Sequence, residues 1–255
     1  VHVWDAIGNA GELERLLERT DPTHVVLATA LARVGDCERD PDLARALNSE
    51  LPACVARSAQ ARGLRAVLVS TDLVFGRVPP QGGERYTEQD PPSPAHEYGR
   101  TKAVGERRFR DGGGDLVVRL PLLYGDSGGR GAGASDQILA ALARGERPAL
   151  FEDEWRTPLE LGNAARALAE VLTGAHTGIL HLAGPRRLSR LELGLCVLVA
   201  RGDSPERARE RIRAARRADL GLGDRPSDVS LDASRALAFL RTPLLAPREA
   251  LDGHA

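Results

Sequence analysis

Four short apolar runs separated by segments of helical periodicity constrain this chain more than any other feature. Residues 24–30 (HVVLATA), 66–70 (AVLVS), 116–120 (LVVRL) and 178–182 (GILHL) are largely apolar and partly β-branched, the pattern of strands buried on both faces. Between them helical patterns run over residues 11–19, 41–62, 96–110, 135–144 and 162–172. Parallel strands need long crossovers, usually helices, so this alternation predicts an α/β fold with a doubly wound parallel sheet. Residues 78–94, with five prolines, and 125–133, with five glycines, are predicted loops, and ordered patterns resume after both. Beyond residue 183 the strand signal fades, and helices are predicted over 189–201 and 205–218. The second carries six arginines from Arg207 to Arg217. They read as a solvated face among glutamates or as a patch for an anion such as a nucleotide diphosphate.

Composition limits what such a sheet serves. A formal net charge of -1 excludes the strongly basic field of a dedicated nucleic-acid binder. No apolar stretch approaches the roughly 20 residues that span a bilayer, so no membrane partner is predicted. Cys37, Cys54 and Cys196 are odd in number and lack metal-ligand spacing. They predict free thiols in a reducing cytoplasm and no metal site. Of the 35 basic residues only Lys102 is a lysine. Arginine keeps its proton, whereas a lysine ammonium can be tuned by its surroundings.

That lysine falls four residues after Tyr98, one of three tyrosines, in the helical segment YGRTK. The two side chains therefore leave the helix on one face. A nearby ammonium favours phenolate, so the spacing predicts a Tyr98 pKa lowered from about 10 and a usable general acid. A surface tyrosine beside a solvated lysine would show the same spacing. Upstream, the 66–70 run leads directly into Thr71 and Asp72. Polar groups at the carboxyl end of a parallel strand stand where ligands bind in such sheets. There a threonine hydroxyl can hydrogen-bond an oxygen that gains negative charge, although both residues could equally satisfy loop amides.

VSTDLVFG, YTEQDPPSPAHEYGRTK and VVRLPLLYG together resemble the extended short-chain dehydrogenase/reductase superfamily, in particular its dTDP-4-dehydrorhamnose reductase-like branch. PTHVVLATA, Asn48, WRTPLELGNAARAL and RPSDVSLD extend the resemblance over nearly the whole chain. It implies an NADPH- or NADH-dependent reduction of a keto-sugar nucleotide, with Tyr98 protonating the carbonyl oxygen, Lys102 holding the nicotinamide ribose and tuning Tyr98, and Thr71 binding the reacting oxygen. By the same resemblance Asp5, Ala6, Thr29, Ala30, Leu31 and Val69 line the cofactor with Tyr98 and Lys102. Thr71, Asp72 and Leu122 are the implied substrate contacts. A homodimer is compatible with the branch.

The chain departs from the branch at several points. The family has alanine at Thr29, threonine at Ala32, aspartate at Gly35 and a tryptophan at Leu122. In the family register residues 1–5 are the third strand, so the first β-α-β portion, with its glycine-rich pyrophosphate turn, is expected to be missing. Gly129, Gly131 and Ala134 mimic that turn, but they stand several residues beyond the preceding strand and read as a substrate-side loop. Residues 1–125 are thus expected to form an incomplete NAD(P)-binding domain. Residues 126–255 would be mostly substrate-binding, with strand 178–182 returning to the sheet. The alternative is a catalytically silent or truncated sugar-nucleotide-binding or regulatory subunit of the same fold.

Overall fold

The computed structural model describes residues 10–80, 85–128, 133–222 and 225–247. Strands β1 (His24–Leu27), β2 (Arg65–Thr71) and β3 (Leu116–Leu120) are followed in one sheet by Gly178–His181, in that order. β1 runs parallel to β2, with His24 opposite Arg65 and Leu27 opposite Leu68. The predicted α/β sheet is therefore the fold that forms. β1 is shorter than expected, because residues 28–30 leave the ladder as a loop. Along the chain come helices α1 (Ala10–Thr20), α2 (Val34–Arg39), α3 (Pro41–Arg45) and α4 (Leu51–Ala61), of which α1 and α4 pack Leu13, Leu17, Val55 and Ala59 with Leu68 and Val117 of the sheet. Phe109 of α5 (Glu97–Asp111) closes the same core.

The segment 41–62, predicted as one helix, is interrupted. Asp40 caps a short helix Pro41–Arg45 by accepting from the Leu43 N–H at 3.0 Å. A π turn, Ala46–Glu50, then joins it to α4, and the Leu51 N–H bonds back to the Ala46 carbonyl. Pro52 explains the wider turn: it has no N–H to give the Asn48 carbonyl, and its ring would crowd that carbonyl in a regular helix.

The chain divides into two compact units that interleave. The first comprises Val1–Phe75, Pro92–Arg119 and Val171–Leu180, and the second Gly76–Pro91, Leu120–Glu170 and His181–Ala255. The chain thus passes between the units more than once.

The second unit is held by short pairings. Leu123–Tyr124 runs parallel to Leu159–Glu160, Trp155–Arg156 antiparallel to Leu188–Ser189, and Ala149–Phe151 parallel to Arg213–Ala215. The last pairing corrects the helix predicted over 205–218. It ends at Arg211, and Ile212 turns the backbone extended into the strand. Strand pairing depends on context more than on propensity, so the sequence RAA carried no strand signal. Arg207 and Arg211 pair with Asp203, Arg216 with Glu152 and Arg217 with Asp153. These four arginines of the expected patch are thus matched by acids from outside the helix. Among the described residues no helix is long and apolar enough to cross a membrane.

Candidate active site

The sequence-predicted acid and its lysine lie on α5, which docks on the carboxyl end of β2. His96 caps this helix, its Nδ1 accepting from the Gly99 N–H at 3.2 Å. Tyr98, Lys102 and Glu106 follow at four-residue intervals on one face, and all three are buried. Each meets one of three consecutive β2 residues. The Thr71 side chain stands close enough to Tyr98 to act on its phenol. Lys102 Nζ donates to the Val69 carbonyl at 2.7 Å, and Ser70 Oγ donates to Glu106 Oε1 at 2.5 Å.

Two glycines allow this close docking. A Cβ on Gly99 would fall 2.1 Å from the Leu73 carbonyl oxygen, and one on Gly105 would fall 2.0 Å from that of Asn48. The Asn48 carbonyl is the one that Pro52 leaves without its helical donor, so the π turn and Gly105 form one feature. The Asn48 side chain reaches the other way. Its Oδ1 accepts from the Leu31 N–H at 2.9 Å, while its Nδ2 donates to the Leu31 carbonyl and to Thr101 Oγ1, both at 3.1 Å. Cys37 Sγ donates to the same Leu31 carbonyl at 3.2 Å. The loop after β1 is thereby pinned to the helix that carries Tyr98 and Lys102.

Electrostatics corrects one expectation. Burial pushes the Tyr98 phenol above its ordinary range, and Asp72 and Cys37 add to the rise while Thr71 opposes it. The direction is opposite to the one that the Tyr98–Lys102 spacing predicted. The spacing ignored desolvation, which is the largest cause of the shift, and Lys102 is not among the groups that act on the phenol. Burial also pushes Lys102 down to about 8, with the Glu106 carboxylate opposing.

Thr71, Asp72, Val69, Tyr98 and Lys102 all belong to the first unit. Thr71 accepts from the Leu73 N–H at 3.2 Å and donates to Asp72 Oδ1 at 3.1 Å, and both residues are buried. Ala30 and Leu31 are half-buried in the loop after β1, where Thr29 is exposed. Leu122 belongs to the second unit and packs against the cluster of Tyr124, Ala134, Leu193 and Val197. Asp5 and Ala6 lie outside the described residues. Among the described residues no group of His, Cys, Asp or Glu could hold a metal ion.

Sequence reasoning missed Glu106 and Arg119. Arg119, on β3, is fully buried and grips Glu106 with a fork, Nε to Oε1 at 3.0 Å and Nη2 to Oε2 at 2.7 Å. Its guanidinium also lies 4.8 Å from the centre of the Phe75 ring. The available signal was an arginine inside the apolar run LVVRL and a glutamate one helical turn beyond the only lysine.

The model of the RmlD substrate binding domain matches residues 3–254. The chain belongs to this family. Among its RmlD-like relatives, a probable low-salt glycan biosynthesis reductase of Haloferax volcanii is 32% identical over 197 residues, 74% of this chain. The match spans only 63% of that protein's length, less than two thirds. The dTDP-4-dehydrorhamnose reductase of Mycolicibacterium smegmatis is 32% identical over 234 residues, 89% of this chain and 68% of its own. The solved structure of dTDP-4-dehydrorhamnose reductase from Bacillus anthracis in complex with NADP is 21% identical. It aligns with a TM-score of 0.83, covering 96% of this chain and 84% of that one, and shows the shared fold.

Proposed function

We propose that this chain is part of a cytoplasmic NADPH- or NADH-dependent reductase that acts on the keto group of a nucleotide-linked sugar. The observation that carries the reading is the Thr71–Tyr98–Lys102 set, buried together at the carboxyl end of β2, the edge where ligands bind in parallel sheets. The donor set fits a nicotinamide dinucleotide. An ammonium has three donors, of which the Val69 carbonyl takes one, and the others suit ribose hydroxyls. Val69 and the Thr29–Ala30–Leu31 loop are assigned to lining that cofactor, as are Asp5 and Ala6. When bound, the nicotinamide supplies the hydride, which no side chain can.

The chain's own residues manage the proton. With its phenol pushed up, Tyr98 holds its proton throughout the neutral range, so it enters the reaction as an acid. A phenol is more acidic than the alcohol formed from a ketone, so transfer from Tyr98 Oη would run downhill once hydride addition had given the substrate oxygen alkoxide charge. Thr71 positions that phenol and hydrogen-bonds the same oxygen as its charge grows. Lys102 keeps a positive charge close by until the pH passes about 8. Asp72 and Leu122 are assigned to substrate binding. No nucleic acid or membrane enters the proposal, and the assembly expected in solution is a homodimer.

The test is calorimetric titration of the full-length gene product with NADPH and NADH, followed by turnover of dTDP-linked 4-keto sugars. Dinucleotide binding with turnover is expected. Binding without turnover of any keto-sugar nucleotide would favour a regulatory subunit.

A further inference from the structure

The proposed chemistry gives no task to Glu106 and Arg119, yet both are taken out of water beside it. Burying a charge pair is costly, and an apolar pair of similar volume would join α5 to β3 at least as well. The pair is tied to the site by three observations. Glu106 stands one turn beyond Lys102 on the same buried face, and its carboxylate acts on the Lys102 ammonium. Ser70, which donates to Glu106, directly follows Val69, which accepts from Lys102. Arg119 occupies both Glu106 oxygens from the neighbouring strand, so the carboxylate is fixed on two sides.

We propose that Glu106 is a positioning residue for Lys102: clamped by Ser70 and Arg119, its carboxylate keeps the buried ammonium charged and seated at the Val69 carbonyl. This role rests on the reductase reading only for its use in catalysis. The other groups around the site are known. Tyr98 shares the helix face, Asp72 follows β2, Cys37 acts on Tyr98 from Val34–Arg39, and Arg119 projects from β3. Of these only Glu106 bears a charge that supports Lys102 directly.

The single lysine makes the test direct. With lysine labelled with 15N at the side chain, the Nζ signal that Lys102→Met removes is that of Lys102, and its titration in the ligand-free protein reports that group. The wild type is expected to titrate near pH 8. In Glu106→Gln the midpoint should fall by about one pH unit, a roughly tenfold loss of proton affinity. The double variant Glu106→Gln/Arg119→Gln removes both members of the buried pair, so neither strands the other; its midpoint should also fall, and it carries the test should the single variant not fold. An unchanged midpoint in a folded variant overturns the proposal. In the same variants the alkaline limb of the turnover profile should move acidward with the Nζ midpoint. A limb that stays while the midpoint moves would instead count against the use of Lys102 in the reductase reading.

Discussion

Two arginine–glutamate contacts of the same length lie in opposite surroundings. Arg119 and Glu106 meet at 2.7 Å in the first unit with side chains 1% and 4% exposed. Arg216 and Glu152 also meet at 2.7 Å, in the second unit, with side chains 68% and 40% exposed. The exposed pair gains little, because water screens it and two long side chains must be ordered to make it. The buried pair stands in a medium where each charge depends on the other, and where its field reaches Lys102. Thirty-four of the 35 basic residues are arginines, so composition treats the two pairs alike, and only burial separates them.

The largest expected effect comes from removing one member of the buried pair. Arg119→Met strands the Glu106 carboxylate and should cost about 3–5 kcal/mol in denaturant unfolding. A loss below about 1 kcal/mol would mean that the pair is no more than a surface pair that happens to be covered. Lys102 gives the next effect. Its folded pKa of about 8 lies below the ordinary 10.5, so the unfolded chain binds the proton more tightly. The stability linked to this group is complete above pH 10.5 and is lost as the pH falls through 8, a swing of about 3 kcal/mol. Lys102→Met lacks this linkage. The stability difference between wild type and variant should therefore change in favour of wild type as pH rises from 8 to 10, and a constant difference would contradict the burial of a charged Lys102. The smallest effect belongs to Arg216→Ala, which should unfold at the same denaturant concentration as wild type. A clear drop would erase the contrast between the two regions.

The same contrast explains what the sequence disclosed. Strand and helix alternation in the first unit is a matter of buried periodicity, and 116–120 was predicted to the residue. Tyr98, Lys102 and Thr71 can be singled out because residue type and spacing suggest a chemistry for them, and the fold buries all three beside the end of β2. The π turn depends on what Pro52 does to a carbonyl four residues earlier, and Gly105 matters only because that carbonyl approaches it. Neither is periodic. The Arg213–Ala215 strand was hidden because its partner, Ala149–Phe151, dictates it. Glu106 and Arg119 belong to different elements, and a single sequence does not say that they meet. The Tyr98 shift was misjudged in sign for a related reason: helical spacing reveals which neighbour a group has, but not how much water it has lost.

The central claim is that Tyr98 delivers the proton to a substrate oxygen at the end of β2. Its most direct test is turnover of a keto-sugar nucleotide by the full-length gene product and its Tyr98→Phe variant, with NADPH affinity measured on both. The expected result is a fall in kcat of about 10²–10⁴-fold with cofactor affinity unchanged. Equal turnover by the two proteins would show that the proton comes from elsewhere.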